Sequence, residues 1–145
     1  FVEYVKEIHS TINLEAAIVI TKYACRSMLI NSEGRVINIS SIIASTGFNG
    51  LSVYAASKAG LEGFMRSLSR ELGRSKITVN CVAPGYMETD MTSGMKGDKI
   101  DSIRRRSPLG LAHTEDVAGA VTYLLSKDGE RITGSVITVD GGSTA

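Results

Sequence analysis

Three short runs of β-branched residues, spaced by long helical patterns, constrain this chain most. Arg35–Ser40, Ile77–Ala83 and Ser135–Val139 are dense in Val, Ile and Thr, as strands covered on both faces tend to be. Before the first run, Phe1, Val5, Ile8 and Ile12 recur at helical spacing. Leu14, Ala17, Ile18, Tyr23, Ala24, Met28 and Leu29 carry the pattern to Ile30, and Asn13 interrupts its apolar face. A turn over Asn31–Gly34 ends this helix, with Gly34 expected in the left-handed conformation. Ser41–Gly50 reads as loop. Ser52–Gly73 reads as a long helix, with Ala55, Ala59, Gly60 and Gly63 on a small-residue face and Leu61, Phe64, Met65, Leu68 and Leu72 on its apolar side. After the second run, Tyr86–Gly97 reads as a mobile loop and Asp98–Arg106 as a short helix ended by Pro108. Thr114 is the expected cap of a helix that runs to about Leu125, with Glu115 and Asp116 in its first turn. Such alternation implies an α/β fold, a doubly wound parallel sheet with helices on both faces.

Composition narrows the class. At 145 residues, 43% of them hydrophobic and 21% charged, residues 1–145 suit one globular domain. A formal charge of +1 gives no general case for nucleic acid, and Arg104-Arg105-Arg106 reads as a solvated helix face. Cys25 and Cys81 stand alone, as buried thiols of a reducing compartment do, so a cytoplasmic setting is expected and no metal site is. No signal peptide or membrane span is evident. The chain starts at Phe1, inside a helical pattern, so an N-terminal part is expected to be absent from it.

Ligands of open α/β sheets sit outside the carboxyl ends of the strands. Ser41 lies just past the first strand and Pro84-Gly85 just past the second. Tyr54 and Lys58 stand four residues apart at the start of the long helix. That spacing puts both on one face, roughly 6 Å apart along the axis. A lysine cation near a phenol favours the phenolate, so such a pair can give or take a proton near neutrality. Each feature also has a plainer reading: a surface Tyr and Lys, a serine-rich loop, a simple turn, a helix-bending Asn. No G-x-G-x-x-G stretch or Walker loop follows any strand.

The span YAASKAGLEGFMRSLSRELGRSKITVNCVAPGYMETDM, Tyr54 to Met91, resembles the short-chain dehydrogenase/reductases, and within them the 3-oxoacyl-[acyl-carrier-protein] reductase group. The likeness extends from Phe1 to the ITGSVITVDGG ending. It implies a Rossmann-like sheet whose nucleotide-binding strands, roughly a hundred residues, precede Phe1. It also implies site roles. Tyr54 resembles the acid/base that protonates a carbonyl oxygen. Lys58 would assist it and hold ribose hydroxyls, Ser41 would bond the substrate oxygen, and Asn13 would anchor a proton-relay water. Pro84, Gly85, the backbone near Met87, and Thr89 resemble the segment that grips the nicotinamide carboxamide. Leu51 and Val53 depart from the group, which often has Gln and Asn there. Basic residues for an acidic carrier protein are not matched one for one, although Arg74 and Lys76 lie nearby.

The resemblance implies an NAD(P)H-dependent reductase of a 3-oxoacyl thioester, in fatty acid biosynthesis, with NADPH or NADH as cofactor. An alcohol, sugar or steroid dehydrogenase is the alternative on the same scaffold. A truncated or catalytically silent subunit serving only in assembly is the alternative of another class. The long helix is apolar on more than one side and the first helix shares this excess. A homo-oligomer, tetramer or dimer, is therefore expected, with no nucleic acid or membrane partner.

Overall fold

The middle of the molecule is β2 (Ile77–Pro84), flanked by β1 (Gly34–Ile39) and β3 (Val136–Val139) in a three-stranded parallel sheet. The computed structural model describes residues 8–88 and 98–145. Register pairs Ile39 with Val82 and Pro84 with Val139, so the three strands finish along one edge. All eight residues of β2 are buried. Its odd positions, Ile77, Val79 and Cys81, form a core with Val36 of β1. Cys25 of α1 (Ala16–Asn31) and Met65 and Leu72 of α3 (Ser52–Leu72) close that core. The even positions Asn80 and Val82 are equally buried, and α5 (Thr114–Leu125), with Leu124 inside, packs against all three strands. Helices on both faces of a parallel sheet are what the alternation of patterns required.

Asn80 belongs to the tertiary structure alone. A polar residue inside a buried strand costs free energy unless its groups are bonded. Its Nδ2 donates to Ile132 O at 2.7 Å and its Oδ1 accepts from Ser135 N–H at 3.1 Å. It thereby fixes the turn that feeds β3 into the sheet.

The structure corrects several expectations. Ser32, not Gly34, takes the left-handed conformation, at φ 51°. Gly34 opens β1, and a Cβ there would lie 2.8 Å from Met28 Cβ, so close packing requires the glycine. The Ser41–Gly50 loop contains a short helix, α2 (Ile43–Thr46). His113, not Thr114, is the N-cap of α5, and its N–H donates to Asp116 Oδ2 at 2.8 Å. Of the small residues on α3, Gly60 is wedged against Leu14, with a Cβ position 3.0 Å from that side chain, whereas Gly63 faces open space.

The apolar surplus lies on one of the two helices, not both. Ile18, Val19, Ile20, Tyr23, Leu29 and Ile30 of α1 are exposed, while no large hydrophobic of α3 is. On α1 the inward residues are Thr21 and Cys25, with Ala17 and Met28 half-buried beside them. A groove runs between this helix and β1, which bonds to β2 on one side only. Arg35 Nε and Asn38 Nδ2, on residues that line the groove, are buried without a partner among the described residues. The expected short helix is present as α4 (Asp98–Arg106), and its arginine run is exposed. Phe1, Val5, Thr89 and most of the Tyr86–Gly97 loop, expected to be mobile, lie outside the described residues.

Candidate active site

The carboxyl edge of the sheet is sewn together by backbone bonds on either side of Ser41. Ser40 N–H donates to Val82 O at 2.7 Å, and Ile42 N–H to Pro84 O at 3.1 Å. The chain leaving β1 therefore continues alongside β2 to its end. Gly85 N–H then donates to Val139 O at 2.8 Å, which ties the same edge to β3. A Cβ on Gly85 would lie 2.6 Å from Asp140 Cβ, so only glycine lets these two segments meet. Ser41 Oγ accepts from Ile43 N–H at 3.3 Å and so caps the turn of α2. Its own proton has no acceptor among the described residues, which leaves it able to donate to a ligand.

Tyr54 and Lys58 occupy the first two turns of α3, both half-buried. Lys58 Nζ lies 5.8 Å from the centre of the Tyr54 ring and donates to Ile39 O, the last carbonyl of β1, at 2.7 Å. This bond fixes the helix against the strand end that delivers Ser41. Burial pushes the Lys58 ammonium below the ordinary lysine range, and Cys81 opposes the shift. Cys81, fully buried beneath, is pushed up to about 12 by burial and then by Glu62, against the cations of Arg66 and Lys58. Both cysteines are free and buried, as expected.

Asn13 reaches the same place from the other side. It sits in a π-helical segment, Ile8–Glu15, that runs into α1 and accounts for the interrupted apolar face. Its Nδ2 lies 3.1 Å from His9 Nδ1 and 3.5 Å from Ser57 Oγ, the second at the long limit for a hydrogen bond. The His9 ring meets Tyr54 edge to face, with centroids 5.4 Å apart at 73°. Sequence reasoning missed His9, because its place at the site comes from a ring contact with Tyr54, far along the chain. The carboxylate of Asp140 was also missed. It accepts from Gly142 N–H, Ser143 Oγ, Thr144 N–H and Thr144 Oγ1 and so pins the C-terminal turn beside Gly85. Burial raises its pKa, but bonds from Thr144, Gly142 and Ser143 outweigh this and hold it below the usual value. The Asp-Gly pair in the sequence was the available signal for that turn.

The structure thus gathers Ser41, Tyr54, Lys58, Asn13, Pro84 and Gly85 at one edge of the sheet. Met87 follows on the segment leaving it, and Thr89 lies outside the described residues. Among the described residues no cluster of His, Cys, Asp and Glu could hold a metal ion.

A doubly wound parallel sheet with a Tyr–Lys pair and a serine at its carboxyl edge defines the class of protein. The chain belongs to the short-chain dehydrogenase/reductase family: residues 3–144 match the family model described as enoyl-(acyl carrier protein) reductase. It is 42% identical to a 3-oxoacyl-[acyl-carrier-protein] reductase, FabG, of Rickettsia bellii, over 90% of this chain and 55% of that protein. A human 3-oxoacyl-[acyl-carrier-protein] reductase is 42% identical over 97% of this chain and 56% of its own length. An acetoacetyl-CoA reductase of an Acinetobacter strain is also 42% identical, over 90% and 53%. The chain spans about half the length of these curated relatives.

Proposed function

We propose that this chain is the catalytic part, a single domain, of a cytoplasmic NAD(P)H-dependent reductase that converts the carbonyl of a 3-oxoacyl thioester to an alcohol. One observation carries the reading: the Lys58–Ile39 bond, which holds the Tyr54–Lys58 pair against the strand end bearing Ser41. The relatives' names favour a thioester substrate, carried on acyl carrier protein or coenzyme A. Phe48 and Leu51, exposed on the turn into α3, suit an acyl chain better than a sugar. No described helix is long and apolar enough to cross a membrane.

The residues fit a nicotinamide cofactor. Lys58 spends one N–H on Ile39 O and keeps two for ribose hydroxyls. Pro84, Gly85 and Met87 would hold the carboxamide end, with Thr89. The cofactor, NADPH or NADH, supplies the hydride when bound. The protein orients the carbonyl and delivers the proton. Ser41 Oγ–H donates to the carbonyl oxygen, and the Tyr54 hydroxyl transfers its proton to that oxygen as negative charge develops there. Lys58 keeps positive charge beside the phenolate left behind. Asn13 and His9 supply the polar wall next to Tyr54 through which a water relays a replacement proton.

A panel of substrates with both cofactors tests this. We expect turnover of 3-oxoacyl thioesters to exceed that of sugars and steroids. Turnover of a sugar or steroid alone would select the second enzyme reading. Failure on the whole panel would leave an assembly subunit.

The same reading includes a homo-oligomer, dimer or tetramer, built through the apolar surface of α1. Ile18, Val19, Tyr23 and Leu29 are exposed there and lie off the groove beside β1. A second copy related by a two-fold axis would cover them. Light scattering on the full chain at micromolar concentration is expected to give at least a dimer mass, and a monomer would overturn the association.

A further inference from the structure

One buried carboxylate is left over by the reaction described above. Glu62 lies on α3 one turn beyond Lys58 and two beyond Tyr54, with only 9% of its surface exposed. Its Oε1 accepts from Ser40 Oγ–H at 2.7 Å, and Ser40 is 3% exposed. Its Oε2 lies 3.5 Å from Arg66, whose side chain is half in solvent. Taking a carboxylate out of water is costly, and replacing the whole Glu62–Ser40 pair by apolar residues of similar volume would often be as stable or more so. Core stability therefore does not explain a glutamate here.

What the bond does is geometric. Ser40 directly precedes Ser41. Its backbone is fixed to Val82 of β2, and its side chain is fixed to the helix that carries Tyr54 and Lys58. Lys58 makes the matching tie one residue earlier, at Ile39 O. Two consecutive residues of the strand end are thus anchored to two successive turns of one helix. The backbone bonds of Ser40 and Ile42 hold this segment to β2, and Lys58 alone would tie it to α3 at one point only, the Ile39 carbonyl. With Glu62 added, the spacing between Ser41 and Tyr54 is set at two points. Reactions of this kind depend steeply on such spacing.

We propose that Glu62, acting through Ser40, is a positioning residue that sets Ser41 against Tyr54. This rests on the reading of Ser41 and Tyr54 given above. The test uses the full chain and compares Ser40→Ala, Glu62→Leu, Glu62→Gln and the double variant S40A/E62L. Removing either partner is expected to lower kcat by about tenfold, with the cofactor KM unchanged. Glu62→Leu leaves the buried Ser40 hydroxyl without its acceptor and should melt somewhat lower, whereas S40A/E62L, which removes both polar groups, should recover most of that loss in melting temperature while its kcat stays low. Glu62→Gln keeps an acceptor for Ser40 and should recover most of the rate. The double variant should lose no more than the worse single one.

A folded Ser40→Ala or Glu62→Leu protein with wild-type kcat would overturn the proposal, as would losses that multiply in the double variant. A melting temperature lowered in step with a wild-type kcat would show a structural role only. If Glu62→Leu does not fold, Ser40→Ala decides alone. A wild-type protein without carbonyl reduction would remove the underlying reading, and the inference with it. An active wild type with indifferent variants would remove only the inference.

Discussion

Replacing Tyr54 by Phe is expected to lower kcat by at least about 10²-fold, the scale on which a positioned acid or base acts. The fold should survive. Phe keeps the ring that meets His9 edge to face and lies beside Lys58. Among the described residues, no hydrogen bond of the fold depends on the lost hydroxyl. Melting temperature and cofactor KM should therefore match the wild type while turnover collapses. Near wild-type turnover in a folded Tyr54→Phe protein would falsify the role given to this residue.

Lys58→Met is expected to damage two properties at once. Methionine fills part of the same half-buried space but presents no N–H to a ribose and no charge to the phenolate. We expect kcat/KM to fall by roughly 10²-fold, with a clear rise in the cofactor KM. Its side chain also releases Ile39 O, loosening α3 from the strand end. In the wild type, burial holds the Lys58 pKa below the ordinary value. The cation is present below that folded pKa and is lost as pH rises through it. Activity should accordingly decline on the alkaline side before pH reaches about 10.4, where an ordinary lysine would titrate. Lys58→Met should lack the part of this decline that belongs to the lysine. Normal cofactor binding together with wild-type turnover in Lys58→Met would take the residue out of the site.

The candidate site could be read in the sequence to an unequal degree. Ser41, Tyr54, Lys58, Pro84 and Gly85 are legible because each depends on local order. A strand end, a helix start and an i, i+4 spacing fix their direction without knowledge of distant contacts. Ser40 stood only as the end of the first strand, and Glu62 on the long helix carried no reading. Their meaning is a contact between residues 22 positions apart, and no periodicity records it. His9 was hidden for a related reason. Its ring contact with Tyr54 joins residues far apart in the chain, and no local spacing records it.

By itself, the sequence determined the α/β class, the three strands and the long helix. β-branched runs and 3.6-residue periodicity follow from the backbone geometry of strands and helices, and that geometry is local. It also placed the polar candidates at one sheet edge, since parallel strands in alternation with helices must all end on the same side. Only the tertiary structure decided which apolar residues face inward. On α1 the core takes Cys25 and Thr21 and leaves Ile18, Val19 and Ile20 exposed, against their hydrophobicity. Burial depends on what packs against a helix, and for α1 that is β1 and the core beneath it, not the helix's own composition. The buried polar bonds were decided in the same way. Asn80 to Ile132 and Ser135, Lys58 to Ile39, and Glu62 to Ser40 each join elements distant in sequence. A buried polar group must find its partner in three dimensions, because inside the core no water can take the partner's place.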